Sequence, residues 1–232
     1  KARQSVTVTS NTAELITKVL FSDGQKVAKG QVLVELKGDE QDAAVLQAQA
    51  VAAQAHRDAA RWRELATKGY APRATAEQYQ ATSAQADALL SAAKSRRLNR
   101  VIRAPFSGVV GLSDVAPGAL IAAGGPIVSL DDTAVIRIDF PVPDRFLPRL
   151  RKGLVLKASV DAYPSVQFSG RIAEIDTRID ERTRSVRVRA EFANADGRLL
   201  PGMLARVALE QGVRPALAVP EAAIQFEGEQ AY

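Results

Sequence analysis

Apolar and polar positions follow two rhythms along this chain, and one rhythm interrupts the other. Up to Leu36, apolar residues come in short bursts punctuated by glycine; from 40 to 97 they step by three and four; past 100 the bursts return. The two flanking stretches are copies of each other. Gly24-x-x-Val27-x-x-Gly30-x-x-Leu33-x-x-Leu36 recurs without a gap as Gly118-x-x-Ile121-x-x-Gly124-x-x-Ile127-x-x-Leu130, an offset of 94 residues that also sets Leu15 and Ile16 opposite Val109 and Val110. Glycine and apolar residues at this spacing predict short strands joined by tight turns, with glycine supplying the positive φ that other residues avoid. A half-motif repeated so far apart predicts two halves of one small β unit split by a long insertion.

The insertion reads as helix. Its apolar and small residues Val45, Ala48, Ala52, Ala55, Ala59, Trp62 and Ala66 step by three and four, and Ala76, Tyr79, Ser83, Ala86, Leu90 and Ala93 do the same on the way back. That stepping is a heptad seam, and two seams joined across 68–72 predict an antiparallel coiled-coil hairpin. Asp39 is the expected cap of the first helix, with Glu40 and Asp42 near its positive end. Gly69 suits the position just past that helix, and Thr75 with Glu77 and Gln78 reads as a capping box for the second. Ala and Ser at the seam bring the axes near the lower end of the roughly 8–10 Å range. At about 1.5 Å per residue, 40–67 reaches on the order of 40 Å, too far to fold back over a small β unit, so the hairpin is expected to project.

Beyond Leu130 the pattern alternates. Segments 135–140, 154–160, 167–175, 185–192 and 203–209 read as strands, with a short helix near 144–150 and a turn at Pro201 and Gly202. Five or six short strands and one helix suit a small closed barrel, because closure removes exposed edges. Asp131 with Asp132, and Val213 with Pro215, read as linkers and are the candidate hinges; Pro215 and Pro220 mark a crossover.

Three groups of residues carry a resemblance. They are Gly24-Gln-Lys-Val27-Ala-Lys-Gly30-Gln31-Val-Leu33, Ala104-Pro105-Phe106-Ser-Gly108-Val-Val, and Thr183-Arg-Ser-Val-Arg-Val with Leu200-Pro201-Gly202-Met203 further on. In this order, and over essentially the whole chain, they resemble the periplasmic adaptor (membrane fusion) proteins of Gram-negative tripartite efflux pumps, the HlyD-like family. The resemblance implies an α+β, elongated, multidomain chain: a split lipoyl-like β-sandwich interrupted by the coiled-coil α-hairpin and followed by a small β-barrel. The expected segments are 1–38 and 100–132 for the two lipoyl-like halves, 39–99 for the hairpin, 133–212 for the barrel, and 213–232 for the start of a membrane-proximal domain. It implies a periplasmic adaptor, anchored to the inner membrane by an N-terminal segment outside this sequence. The adaptor bridges an inner-membrane efflux transporter and an outer-membrane channel, with self-association into a hexamer. A proton-driven resistance–nodulation–division (RND) transporter is the expected partner, because the hairpin is short and runs straight between the lipoyl-like halves. An adaptor of an ATP-driven exporter shares these folds and stays open as an alternative.

At the hairpin tip the family shows Arg, then Leu four residues on, then Ser seven further, and these contact the channel. Arg61 and Leu65 match, while Pro72 stands where the family has Ser, which puts that hydroxyl's hydrogen bond in doubt. Tyr70 and Ala71 are expected as exposed apolar groups at the same tip.

Composition narrows the chemistry. No run of 18 apolar residues offers a membrane span, the start reads as a polar lead into a strand rather than a signal peptide, and the last residues supply no closing element, so the sequence is expected to be a trimmed piece. With no Cys, disulfide and thiolate chemistry are out. No catalytic or metal-binding residue is expected: there is one His and one Met, and the acids Asp131, Asp132, Asp176, Asp180 and Glu181 fall in turns among arginines. The lack of Met clusters argues against a copper or silver exporter. His56 is expected as a solvated helix residue. No cofactor is expected, because a lipoyl or biotinyl carrier displays its lysine on the turn that the hairpin replaces here, and Lys37 precedes the helix. The net charge of +5 is carried by Arg61, Arg63, Arg96, Arg97, Arg100 and Arg103 around the hairpin and Arg182, Arg184, Arg187 and Arg189 in the barrel. Aromatics make up only 5% of the chain and none lies among the barrel arginines, so nucleic acid is not an expected partner. A solvated face, or contact with an acidic neighbour, accounts for the barrel set.

Overall fold

The computed structural model describes residues 1–209 together with 226–227 and 230–231; Val213, Pro215 and Pro220 lie outside the described residues. The chain forms two compact units, Lys1–Ile136 with Asn194–Pro201, and Arg137–Ala193 with Gly202–Tyr232.

The first unit holds β1 (Ala2–Thr9), β2 (Glu14–Val19), β3 (Lys26–Val27) and β4 (Val32–Leu36), then α1 (Asp39–Thr67) and α2 (Arg73–Leu98). Returning strands β5 (Val101–Arg103), β6 (Gly108–Val110), β7 (Leu120–Ile121) and the first part of β8 (Pro126–Pro143) complete it. One antiparallel sheet runs β5-β4-β2-β7; in the other, β8 pairs with both β1 and β6, and β6 with β3. The repeated half-motif has one structure in both copies. Gly24, Gly30, Gly118 and Gly124 all take positive φ, and Val27, Leu33, Leu36, Ile121, Ile127 and Leu130 all enter one core with Ile16 and Val110. Both halves are needed to close that core, which is why an insertion between them is tolerated and a missing half would not be.

The acids expected as a linker sit elsewhere. Asp131 and Asp132 lie inside β8: Asp131 is registered against Ser5 of β1 and Val109 of β6, and Asp132 against Gln4. Strand pairing on both edges holds at Asp131 what sequence alone reads as a turn.

Helices α1 and α2 are antiparallel, as the cross-helix pairs Asp42–Arg97, His56–Asp87 and Trp62–Tyr79 require. The stepped positions face inward: Ala52, Ala59, Ser83, Ala86 and Ala93 are buried, and Val45, Ala48, Ala55, Trp62, Ala66, Ala76, Tyr79 and Leu90 are half-buried. At the end of α1, Gly69 (φ 79°) donates its N–H to Ala66, and Tyr70 donates to Leu65. These are the two hydrogen bonds of a Schellman cap, which a glycine at this position permits. The expected N-caps are corrected. Gly38 caps α1 and Pro72 caps α2, neither with a side-chain hydrogen bond, so Asp39 is already helical and Thr75 lies inside the first turn of α2. Proline's fixed φ and its extended ψ of 140° start α2 earlier than a Thr75 cap would.

In the second unit, β9 (Val155–Val160), β10 (Tyr163–Asp180), β11 (Ser185–Ala193) and β12 (Ala205–Leu209) join the rest of β8 in the order β12-β9-β10-β11-β8. The expected short helix is a 3-10 helix, Asp144–Arg149, containing Pro148. Leu156, Ile172, Val188 and Phe192 make its core. Gly170 lets Phe192 close in, since a Cβ there would lie 2.5 Å from the ring. Two-residue strands β13 (Phe226–Glu227) and β14 (Gln230–Ala231) pair with each other.

Candidate functional site

The turn between α1 and α2 gathers the residues singled out from sequence. Arg61 and Leu65 stand one turn apart on α1, Tyr70 lies in the Schellman cap, and Pro72 begins α2. Arg61 donates to Asp58 at 2.6 Å, which holds its guanidinium along the outer face of α1. Leu65 is half-buried, and its carbonyl accepts the Tyr70 N–H at 2.8 Å. That bond ties the backbone of Tyr70 in place while its side chain stays 80% exposed. The turn thus fixes where the aromatic group starts from, while the exposed ring keeps its own rotamer freedom. Just below, Trp62 and Tyr79 stack with centroids 5.2 Å apart and planes within 9°, and Arg63 donates to Gln80 across the helices at 2.9 Å. These contacts stiffen the last turns beneath the tip. Pro72 offers no hydroxyl and no N–H; its carbonyl accepts from Thr75.

His56 is solvent-exposed on α1, as its sequence surroundings imply, but it also has partners on α2. Its Nε2 lies 2.8 Å from Asp87 Oδ1, and its Nδ1 lies 3.0 Å from Ser83 Oγ. The neutral ring satisfies both when Nε2–H donates to the carboxylate and Nδ1 accepts the serine hydroxyl. Ser83 is buried in the seam, beneath the ring rather than open to a substrate. The group therefore couples one helix to the other.

The arginines are mostly bound within the chain. Arg97 pairs with Asp42, Arg100 with Glu14, and Arg103 donates to the Gly30 carbonyl. On the outer face of the second unit Arg189 grips Asp139 with two hydrogen bonds, at 2.7 and 3.0 Å, and Arg137 pairs with Glu191. Hydrogen bonding to Asp139, and then its charge, raise the Arg189 pKa further above its ordinary value. Between β10 and β11, Asp180 accepts the N–H groups of Arg182 and Thr183. Hydrogen bonds from the backbone and side chain of Thr183, with lesser help from Arg182 and Arg187, hold its carboxyl below the usual value. Asp176 likewise accepts the Arg178 N–H. Asp180 orders the turn that follows β10, whereas Asp176, expected in a turn, lies within β10 at an irregularity in its pairing with β11. Among the described residues no three His, Asp or Glu side chains gather as a metal site. Lys37 leads into α1 with its N–H bound to the Leu15 carbonyl, within the strand ladder rather than on a hairpin turn.

Sequence reading missed the His56–Ser83–Asp87 group, the Arg100–Glu14 pair and Asn194. The buried Asn194 side chain bonds the carbonyls of Thr133 and Leu199 and the Leu199 N–H. All but the Asn194–Leu199 contacts join residues far apart in sequence, and no local pattern announces such contacts.

Comparison with known proteins agrees with this architecture. The family model described as RND MFP, barrel-sandwich hybrid domain, matches residues 4–130, and the one described as CusB-like, beta-barrel domain, matches 137–213. An uncharacterized protein of Haemophilus influenzae is 30% identical over 236 residues, covering 100% of this chain and 62% of that protein. The multidrug resistance protein MdtA of Yersinia enterocolitica is 29% identical over 255 residues, covering 98% of this chain and 58% of its own length. This chain thus spans about three fifths of the curated relatives it matches. Among solved structures, a putative efflux transporter from Bacteroides eggerthii matches with a TM-score of 0.74 at 20% identity, over 98% of this chain and 73% of that one. A MacA–MexA chimeric protein containing the Pseudomonas aeruginosa MexA α-hairpin domain matches with a TM-score of 0.76 at 19% identity, over 89% and 74%. At such identities the structural matches establish the fold.

Proposed function

We propose that this chain, which belongs to the RND membrane fusion proteins, is the central part of a non-catalytic periplasmic adaptor. It links a proton-driven inner-membrane efflux transporter to an outer-membrane channel and serves the export of drugs and other small molecules. The observation that carries this reading is the helical hairpin inserted between two halves of one barrel-sandwich unit, with Tyr70 presented at its tip. A coiled-coil rod with small residues in its seam and no catalytic cluster transmits position rather than chemistry. The names of its relatives support multidrug export.

In this reading 39–99 is the channel-reaching hairpin, with 1–38 and 100–132 as its lipoyl-like base. Segment 133–212 is the barrel that contacts the transporter, and 213–232 begins a membrane-proximal domain. Arg61, Leu65, Tyr70 and Pro72 form the channel contact, and several copies, six in the assembled pump, stand side by side. The candidate hinges stay at Asp131 with Asp132, where bending would have to work within a strand, and at Val213 with Pro215.

These residues contribute no cysteine of their own to a crosslinking test. Leu65→Cys in the full-length protein, expressed in its own host, is expected to crosslink to an outer-membrane channel protein, and Ala53→Cys, midway along α1, is not. Normal export without a crosslink at 65 would return Arg61 and Leu65 to a purely structural role.

A further inference from the structure

The hairpin is joined to its base by more than its two covalent crossings. The chain enters α1 from β4 and leaves α2 into β5, and these strands are neighbours, with Glu35 registered against Val101 and the Leu36 N–H donating to the Arg100 carbonyl at 2.8 Å. Two attachment points on adjacent strands define a single line, and a rod held only there is free to rock about it. The Arg100 side chain supplies a point off that line. It leaves the end of α2 and reaches the start of β2, where Nη1 donates at 3.0 Å to Oγ1 of Thr12, in the β1–β2 connection, and lies 3.2 Å from Oε2 of Glu14, the first residue of β2. Neither Thr12 nor Glu14 belongs to a crossing strand. Glu14 is itself fixed, since its other oxygen accepts the Leu15 N–H.

This contact differs from the pairs along the shaft. Each of those has at least one partner more than half exposed, whereas Arg100 and Glu14 are 15% and 28% exposed. The Arg100 stem passes beside the start of α1, where a Cβ on Gly38 would sit in ordinary van der Waals contact with it at 3.5 Å. A partly buried, charge-assisted arginine contact keeps its strength where exposed pairs are screened. The planar guanidinium also fixes direction, which a flexible ammonium does not.

We infer that Arg100 is the positioning residue that sets the direction of the hairpin on its base, by locking the end of α2 to Thr12 and Glu14. The lever is long. Over the 29 residues of α1, at about 1.5 Å each, a tilt of about 10° at the base displaces the tip by roughly 7–8 Å. That is enough to move Tyr70 off any fixed contact. The consequence for docking rests on the tip-contact reading; the lock itself does not.

The test measures direction. Nitroxides on cysteines introduced at Ala60, in the upper half of α1, and at Lys29, on the base, report one distance by double electron–electron resonance. The parent chain is expected to give one narrow distribution. Arg100→Met is expected to at least double its width, and Glu14→Gln and Thr12→Val to widen it less. Arg97→Met, which breaks a pair between the two helices only, is expected to leave it unchanged. Arg100→Lys should recover part of the narrowing, a rescue that a purely space-filling role would not show. An unchanged width in Arg100→Met with full helical circular dichroism overturns the lock. Should that variant fail to fold, unchanged widths in both Glu14→Gln and Thr12→Val overturn it instead. These distances come from the isolated protein, so loss of the channel crosslink at Leu65 leaves the lock standing, and a crosslink does not rescue it.

Discussion

The helical hairpin and the barrel-sandwich unit it interrupts bury residues in opposite ways. In the barrel-sandwich unit, large branched side chains converge: Leu33, Val34 and Leu130 are fully buried in one cluster fed by both halves of the chain. In the hairpin the buried positions are Ala52, Ala59, Ser83, Ala86 and Ala93, strung along a line. A buried leucine contributes roughly 1.5–3 kcal/mol and a methyl about 0.8. Stability is therefore concentrated in the first region and spread thinly through the second. A concentrated core is sensitive to loss; a thin seam is sensitive to gain, because its buried positions hold only alanine and serine.

Truncation gives the largest effect. Leu130→Ala removes a side chain that contacts the core from β8, the strand paired to both β1 and β6. A cost of about 3–5 kcal/mol is expected in urea unfolding, with loss of the base that holds the hairpin. A cost below about 1 kcal/mol would mean the two halves do not share one core. Enlargement probes the other region. Ala59→Leu puts three more carbons into the seam, and about 1–3 kcal/mol of destabilisation is expected, read as a lower melting temperature of the helical signal. If this variant were instead more stable, the seam would contain unfilled space and the contrast would fail.

How much of this was readable beforehand follows from the range of each interaction. The glycine–apolar repeat and the heptad stepping are short-range periodicities, and both led to buried positions; Gly69 led to its cap. What escaped was set by partners elsewhere. Asp131 and Asp132 resemble a turn until β1 pairs with both and β6 with Asp131. His56 is exposed as expected, but its partners Ser83 and Asp87 come from α2. Arg100 looks like one cation of a basic patch until a residue 88 positions away accepts its hydrogen bond. Capping failed for a local reason, since proline begins α2 without any capping side chain. For the candidate site, sequence indicated which residues reach the tip and that Tyr70 is exposed there; the hydrogen bond holding its backbone, and the half-burial of Ala71 where exposure was expected, required the geometry.

The smallest expected effect concerns Pro72, where this chain departs from the family's serine. Its extended ψ of 140° is already that of an N-cap, yet it makes no side-chain hydrogen bond. Pro72→Ser adds a hydroxyl able to accept an N–H from the first turn of α2, a gain typically about 1 kcal/mol. Against it stands the lost stiffness of proline in the unfolded chain, about 0.4–1 kcal/mol. The difference favours serine by a few tenths of a kcal/mol at most, visible as a slight rise in hairpin melting temperature. Combining Pro72→Ser with Leu65→Cys separates two roles for that serine. A melting rise with unchanged crosslink yield makes it a helix cap that proline replaces by fixing φ. A higher yield without a melting rise makes it a channel contact that this protein does without, leaving Tyr70 as the main apolar anchor of the tip.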